Sequence, residues 1–261
     1  MKIICLTLVF FAASIAHAQQ PFITDDVEVA DKGKFTLETS NEFDRLQPSS
    51  APDEYQNAAH ATLSYGLVKD VEISVTGQFL TLFSRESPRV VGGIGDTTLA
   101  VKYNFLKERD GSHRPALAVS GFVQLPTGDE DRNLGSGVPD YGFNAIAEKT
   151  WHEKNVFRLN GGYIFSGNTV NGALGFSSEV HGGIFTGGAS YVRKIGEKLH
   201  LGAELTTAVT SNFQLNKGEL QTQFGGNYEL NKKTTFDFGV IFGKFDASPR
   251  AGFQVGFTRD F

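Results

Sequence analysis

The chain has 261 residues, with 24 basic and 29 acidic side chains, a formal net charge of −5 and a single cysteine. This mildly acidic balance gives no support to a nucleic-acid-binding function. Thirty glycines and 23 phenylalanines, beside one methionine and one tryptophan, favour a chain of many β-strands over a helical one.

Residues 1–18 have the pattern of a secretory signal peptide. Lys2 supplies the positive charge, an apolar run follows, and Ala-His-Ala at 16–18 fits the small-x-small rule for cleavage before Gln19. The alternative, an amino-terminal membrane helix, is disfavoured because the run is too short to span a bilayer. Cleavage removes Cys5 and leaves 23 basic and 29 acidic residues, in a chain without thiols for disulfides or metal binding.

Residues 19–32 precede the first predicted strand and contain the stretch Phe-Ile-Thr-Asp-Asp-Val-Glu at 22–28. Two interpretations are open: a small plug that folds back and controls passage, or a periplasmic lead-in. No later stretch resembles a transmembrane helix, because charged residues interrupt every apolar run after the signal. An exported chain of this kind is periplasmic, secreted or a membrane barrel.

Residues 33–261 form one predicted domain, in which apolar and polar side chains alternate with a period of two about twelve times. In the third strand, for example, Val71 and Ile73 alternate with Glu72 and Ser74. Such alternation places the apolar side chains on one face of a strand and the polar ones on the other. We predict strands at 33–45, 56–66, 70–80, 95–106, 115–125, 140–151, 155–166, 179–193, 198–210, 218–230, 234–244 and 250–261.

The connections alternate between tight turns and longer loops rich in Gly, Pro and Ser, as in an up-and-down barrel with its short turns on the periplasmic side. The short turns are 68–69, 152–154, 193–197 and 231–233, and the longer loops are 46–55, 81–94, 126–139, 167–178 and 211–217. The connections 107–112 and 245–249 depart from this rule. Chain ends on one rim require an even strand number, so twelve fits best, while ten and fourteen stay open. No long loop stands out as an inward constriction.

The last twelve residues indicate that the apolar face meets lipid. Phe253, Val255, Phe257 and Phe261 share one face, and a closing strand that ends in Phe resembles the terminal assembly signal of outer-membrane barrels. A soluble barrel also alternates, but it hides its apolar face inside. Here aromatic residues cluster at strand ends, where membrane-interface girdles lie; they are Tyr103/Phe105, Tyr141/Phe143, Tyr163/Phe165 and Trp151.

We therefore predict an all-β fold, a transmembrane up-and-down antiparallel β-barrel of about 12 strands in the bacterial outer membrane. Its predicted partners are outer-membrane lipid and lipopolysaccharide, the barrel-assembly machinery and small solutes.

Three short motifs resemble a known family. Residues 93–103 read Gly-Ile-Gly-Asp-Thr-Thr-Leu-Ala-Val-Lys-Tyr, residues 125–129 read Leu-Pro-Thr-Gly-Asp, and residues 135–137 read Gly-Ser-Gly. They are similar to the outer-membrane protein family of the meta-pathway of phenol degradation, often called simply transporter. The resemblance runs over most of the mature chain, and it implies an outer-membrane barrel that passes hydrophobic or aromatic compounds.

Charged residues at inward positions of the predicted strands form the candidate lining of the lumen. They are Lys34, Glu38, Glu42, Glu72, Asp96, Lys102, Glu148, Arg158, Glu204, Glu229, Asp237 and Arg250. Acids outnumber bases eight to four in this set, so an open pore should favour cations or neutral solutes over anions. The alternative is a ladder of structural ion pairs across a filled interior.

The sequence predicts neither an enzyme nor a cofactor or metal site. His60 and His200 lie at inward positions, but no G-x-S-x-G motif and no metal-ligand spacing accompanies them. The acidic stretch 129–131 is either a solvated loop or a site for calcium or for a bridge to lipopolysaccharide. We predict a passive channel or transporter for small solutes. The rival hypotheses are a closed structural or lipid-contacting barrel and a lipid-modifying membrane enzyme.

Overall fold

The computed structural model describes residues 21–109, 111, 113–167, 182–210 and 218–261. The predicted signal peptide, the loop 211–217 and nearly all of the loop 167–178 lie outside the described residues. Two single 3-10 turns occur, and no helix within the described ranges is long and apolar enough to cross a membrane. The strands are β1 Phe35–Arg45, β2 Asp53–Val68, β3 Val71–Ser84, β4 Val90–Ile94, β5 Thr97–Leu106, β6 Ala116–Leu125, β7 Asp140–Trp151, β8 Asn155–Ser166, β9 Gly182–Ile195, β10 Leu199–Thr210, β11 Glu219–Asn231, β12 Thr234–Gly243 and β13 Ala251–Asp260.

These segments form one antiparallel sheet that closes on itself. Apart from β4 and β5, which both pair with β3, each strand pairs with its neighbours in the sequence, and β1 pairs with β13 from Thr36 opposite Asp260 to Arg45 opposite Ala251. The segments β4 and β5 lie end to end along β3, and the chain bends between them at Gly95 and Asp96. The thirteen described segments therefore make a closed barrel of twelve strands, which confirms the predicted fold and strand number.

Among the described residues, the predicted strand boundaries agree with the structure to within about three residues except in the region 81–94. That stretch was expected to be a loop, but β3 continues to Ser84 and β4 begins at Val90, so the two pair as a hairpin while β3 stays paired with β2 on its other side. The alternation is hidden here because both faces are apolar. Leu82 points inward and is buried, while the side chain of Phe83 points outward.

The apolar face points outward, as predicted. On β13 the side chains of Phe253 and Phe257 are about half exposed, while those of Gln254 and Thr258 between them are buried inside the barrel. Aromatic rings form girdles at both rims. Phe43 lies 5.8–6.1 Å from the rings of Tyr55, Phe83 and Phe253 near the long loops. Near the short turns, Phe157 lies 6.0 Å from Trp151 and 4.7 Å from Tyr191.

The interior also contains two small apolar clusters. Val27, which precedes the barrel, packs with Ala116, Ala118 and Ile146. Ile164, Ile184 and Ala208 form the second cluster, with Phe122 and Ala247 packed against it. The interior of the barrel is thus partly filled.

Candidate functional site in the barrel lumen

Residues 21–32, which we call the lumen segment, cross the inside of the barrel. The carbonyl oxygen of Pro21 accepts a hydrogen bond of 2.9 Å from Nε2 of Gln223 on β11. At the other end, Lys32 forms a bridge with Gly66 on β2. Phe22, Thr24, Asp26 and Val27 are buried in between. The segment therefore runs through the lumen from β11 to β2.

Glu204 on β10 is the most heavily used anchor of this segment. Its Oε1 accepts a hydrogen bond from the Ile23 backbone N–H at 2.9 Å. Its Oε2 accepts from the Thr24 backbone N–H at 2.9 Å and from the Thr24 hydroxyl at 2.5 Å. The Glu204 side chain is only 4% exposed. A buried carboxylate needs such donors, and hydrogen bonds to an ionised acceptor are stronger than neutral ones.

The middle of the lumen segment binds two neutral amides and one cation. Asn160 on β8 donates to the carbonyl oxygen of Asp25 at 3.0 Å, and its Oδ1 accepts from the Asp25 N–H at 2.7 Å. On β5, Lys102 Nζ lies 3.0 Å from Asp25 Oδ1 and 3.2 Å from Asp26 Oδ1. Asn104 on the same strand donates to the Val27 carbonyl oxygen at 2.7 Å. Irregular backbone inside the barrel is thereby satisfied by wall side chains.

The last part of the segment depends on a carboxylate and on a glycine. Glu72 Oε2 on β3 accepts from the Ala30 N–H at 2.7 Å. Gly66 is required because a Cβ there would lie 2.1 Å from the Asp31 carbonyl oxygen and 2.4 Å from that of Ala30. The wall is therefore shaped to let the segment pass closely.

A cavity of about 550 Å³ remains beside the lumen segment. Glu38, Glu72 and Glu219 contribute carboxylates to it, and Phe122 and Ile164 contribute apolar surface. Hydroxyl groups line the wall from β1 to β6; they belong to Thr36, Thr62, Ser64, Ser74, Thr76, Thr98 and Ser120. The volume lies in the range of ligand-binding pockets, and this mixed lining suits a small solute with polar and apolar parts.

The structure divides the predicted lining residues into groups. Glu38, Glu72 and Lys102 line the cavity, and Glu204 lies beneath the lumen segment. Glu42 is partly exposed on the inward side of β1.

Four other residues have partners within the wall. Arg158, 2% exposed, pairs with Glu148 at 2.6 Å, Glu229 lies 3.3 Å from His200 Nε2, and Asp237 accepts from Thr258 at 3.1 Å. The ion-pair alternative therefore applies to part of the set.

Two predicted positions are wrong, because Lys34 and Arg250 are exposed residues that precede β1 and β13 at opposite rims. The period of two was extended one residue past each strand, to rim positions whose side chains are exposed.

Asp96 has a role that its inward position alone did not predict. It is buried at the bend between β4 and β5. Its Oδ1 accepts from the Gly128 N–H at 3.0 Å, and its Oδ2 accepts from the Ser136 N–H at 2.8 Å and from Gln124 Nε2 at 3.0 Å. The three motifs of the sequence thus meet at one carboxylate. Leu134 and Ser136 of the loop 126–139 are buried, which the sequence, in which no long loop stood out as an inward constriction, did not indicate.

Sequence reasoning missed Asn104, Asn160 and Gln223, because only charged residues were taken as candidates. All three alternate with outward apolar side chains, as in the run Leu159, Asn160, so their inward positions were available in the pattern.

Several solved structures share this fold. An outer-membrane channel from Pseudomonas putida F1 is 15% identical, with a TM-score of 0.66 over 90% of this chain and 98% of that chain. The KdgM porin in complex with disordered oligogalacturonate has a TM-score of 0.57 at 10% identity, over 87% of this chain and 99% of that chain. The NanC porin has a TM-score of 0.57 at 9% identity, over 85% and 98%. These likenesses establish an outer-membrane barrel fold, and those three proteins are a channel and two porins.

No curated protein matches the sequence. A family model described as "Putative MetA-pathway of phenol degradation" matches residues 18–258. Because this match covers nearly the whole chain, the protein belongs to that family.

Proposed function

We propose that the protein is an outer-membrane channel through which small solutes, including hydrophobic and aromatic ones, pass without chemical change. The observation that carries the proposal is a cavity of about 550 Å³ inside a closed barrel whose apolar face points outward. The family description, which names a pathway of phenol degradation, supports the proposal. So does the fold that the chain shares with an outer-membrane channel and two porins. The acidic lining favours neutral or cationic solutes.

We further propose that residues 1–18 are removed on export and that residues 19–32 form a plug that closes the resting channel. Six wall side chains hold the described part, residues 21–32, and the groups on that part are mostly backbone amides and carbonyls. Such contacts are specific in position, yet each contributes only about 0.5–1.5 kcal/mol net, or 1.5–3 when a charge takes part. A segment held in this way can leave the lumen without unfolding the barrel.

Planar-bilayer recording tests both proposals. The full chain should conduct in short, infrequent openings, and a variant that lacks residues 21–30 should conduct continuously and at a higher level. A reversal potential measured in a salt gradient should show preference for cations. If neither protein conducts, and neither admits small sugars or aromatic alcohols into proteoliposomes, the channel function is wrong. If both conduct equally, only the plug is wrong.

A closed structural or lipid-contacting barrel is the second candidate. The observation that favours it is the apolar cluster of Ile164, Ile184 and Ala208, with Phe122 and Ala247, which fills part of the interior under the long loops. For such a barrel, removal of the lumen segment would not produce conductance.

We also propose that the final strand is the signal for barrel assembly. Phe261 is about half exposed, and its N–H donates to the Phe35 carbonyl oxygen at 3.0 Å, next to the β1–β13 closure. Substitution of Phe261 by Ala should lower the amount of protein folded into outer membranes, measured by heat-modifiable migration in gels. The Phe35→Ala variant, which changes the neighbouring ring but not the chain end, is the control.

A further inference from the structure

A groove of about 390 Å³ lies on the outside of the barrel, at the rim of the short turns. We call it the short-turn groove, and its lining residues are Trp151, His152, Asn155, Phe157 and Tyr191. Trp151 is the last residue of β7 and Asn155 is the first residue of β8, so the groove lies where these strands end. In a membrane barrel this is the level of the lipid headgroups, at which aromatic side chains with a polar end are enriched.

The three rings of the short-turn groove are held in place by one another and by an amide. The Phe157 ring packs between those of Trp151 and Tyr191, edge-on to the first. The Tyr191 hydroxyl donates to Asn155 Oδ1 at 2.7 Å, and Asn155 Nδ2 donates to the Trp151 carbonyl oxygen at 3.0 Å. The groove is therefore formed before anything occupies it, which lowers the entropy that binding must overcome.

The short turns also carry an excess of positive charge that the longer connections lack. In the sequence, eight basic and five acidic residues fall in the five short connections, and six of each fall in the six connections that alternate with them. The short connections are 69–70, 107–115, 152–154, 196–198 and 232–233, and the others are 46–52, 85–89, 126–139, 167–181, 211–218 and 244–250. Basic side chains at the headgroup level attract anionic lipids.

Arg193 brings a cation to the edge of the short-turn groove. It shares the outward face of β9 with Tyr191, two residues before it, and lies directly opposite Asn155 of β8. Directly opposite residues of paired strands are close neighbours on one face. Arg193 is exposed and forms no ion pair with any described residue. Its guanidinium is therefore available to an anion at the groove.

The other charges near the groove balance one another. Lys149 lies opposite Phe157, but it already pairs with the carboxylate of Glu108. The turn 152–154 contributes one acid and one base, Glu153 and Lys154. The net positive charge beside the groove thus rests on Arg193.

We propose that the short-turn groove binds an anionic phospholipid of the periplasmic leaflet. The lipid phosphate accepts hydrogen bonds from Arg193, whose planar guanidinium matches two phosphate oxygens at once. One acyl chain lies against the rings of Trp151 and Phe157, and Tyr191 keeps its hydroxyl on Asn155. The site lies on the outer wall, so it is independent of passage through the lumen.

Native mass spectrometry of the full chain in detergent tests the site. The protein is titrated with dioleoylphosphatidylglycerol and, separately, with dioleoylphosphatidylcholine, which has the same acyl chains but no net charge. One phosphatidylglycerol should bind roughly tenfold more tightly than phosphatidylcholine, as expected for one charge-assisted contact. Equal affinities would overturn the proposal. Inorganic phosphate should not displace the bound lipid, and displacement would show that an anion alone is recognised.

The headgroup contact is tested by removal of one cation at a time. Arg193→Gln should lower the affinity for phosphatidylglycerol to that for phosphatidylcholine. Lys232→Gln removes an exposed cation of the same rim, on the turn between β11 and β12, and should leave the preference unchanged. Equal losses in the two variants would show that the rim attracts lipid by its total charge and that the groove is not a site.

The acyl-chain contact is tested by removal of a ring. Trp151→Ala and Asn155→Ala should weaken both lipids equally and keep their ratio, because the first loses the packing surface and the second loses the bonds that position it. Phe105→Ala is the control, since Phe105 is a half-exposed ring near the end of β5, outside the groove. Heat-modifiable migration identifies the variants that are folded. Unchanged affinities in folded Trp151→Ala would place the lipid elsewhere and contradict the proposal.

Discussion

The lumen segment and the loop 126–139 are two irregular stretches that lie against the inside of the same barrel and are held there in different ways. Both satisfy their backbone groups with inward side chains of the wall. The lumen segment is held at six wall residues spread over five strands, from Glu72 on β3 to Gln223 on β11. The loop 126–139 is held by Asp96 through two backbone N–H groups, and Thr127 and Arg132 add side-chain hydrogen bonds to the backbone of Gly95 and Gly92. The lumen segment can leave only when bonds to several strands break together, whereas the contacts of the loop 126–139 are concentrated near the bend at Gly95 and Asp96.

Among single substitutions, Glu204→Gln should loosen the lumen segment most. It replaces a carboxylate that accepts three hydrogen bonds from Ile23 and Thr24, and each donor left unpaired costs roughly 1–3 kcal/mol. The open fraction in bilayer recordings should rise strongly. Glu219→Gln is the matched control, since Glu219 accepts from Thr206. In a double-mutant cycle, Thr24→Val should show strong coupling to Glu204→Gln. If the two effects simply add, Glu204 does not hold the lumen segment through Thr24.

The next largest effect on the lumen segment is expected from Gly66→Ala, which adds a methyl group to the inner wall. In Gly66→Ala the new Cβ would meet backbone oxygens of Ala30 and Asp31 at 2.4 and 2.1 Å, so the end of the lumen segment must move. Gly77→Ala places its Cβ in open space and is the control. Limited proteolysis at Lys32 should be faster in Gly66→Ala than in the control and the wild type. Equal rates would show that the segment does not lie against β2.

A smaller effect is expected from Lys102→Gln in the protein without residues 21–30. Lys102 is then a cation of the cavity wall without its partners Asp25 and Asp26. Its removal leaves the carboxylates of Glu38 and Glu72 in excess, so the reversal potential should shift further toward cations. Lys34→Gln, at an exposed rim position, should shift it less. A shift toward anions would contradict the assigned lining.

The smallest effect should come from the ion pair of Arg85 and Glu54 outside the lumen. The two side chains are 70% and 37% exposed, and exposed pairs contribute little because water and salt screen them. Glu54→Gln should change neither the open fraction nor the temperature at which the barrel unfolds in detergent. A clear change would mean that the long-loop rim takes part in closure.

The period-two pattern predicted most of the barrel because a strand between lipid and a wet lumen must alternate at each residue. It failed at 81–94, where Leu82 is buried inside and Phe83 faces outward, so that neither face is polar. It also failed for Lys34 and Arg250, which lie just beyond strand ends. For the site, the alternation of inward and outward residues along each strand was enough to place Glu204 and Lys102 inside the barrel. Their partners in residues 21–32 could not be found, since contacts across 180 residues leave no local periodicity.

The sequence by itself indicated about twelve strands, the outward apolar face and the inward positions of most of the charged residues. These depend on the alternation of neighbouring side chains and on the solvent that each face meets. Only the tertiary structure decided what each inward group does. Asp96, Glu204 and Glu148 all read as lining residues, yet one holds a loop, one holds the lumen segment and one pairs with Arg158. The difference arises because burial forces every charge to take whichever partner the closed barrel brings within hydrogen-bonding distance.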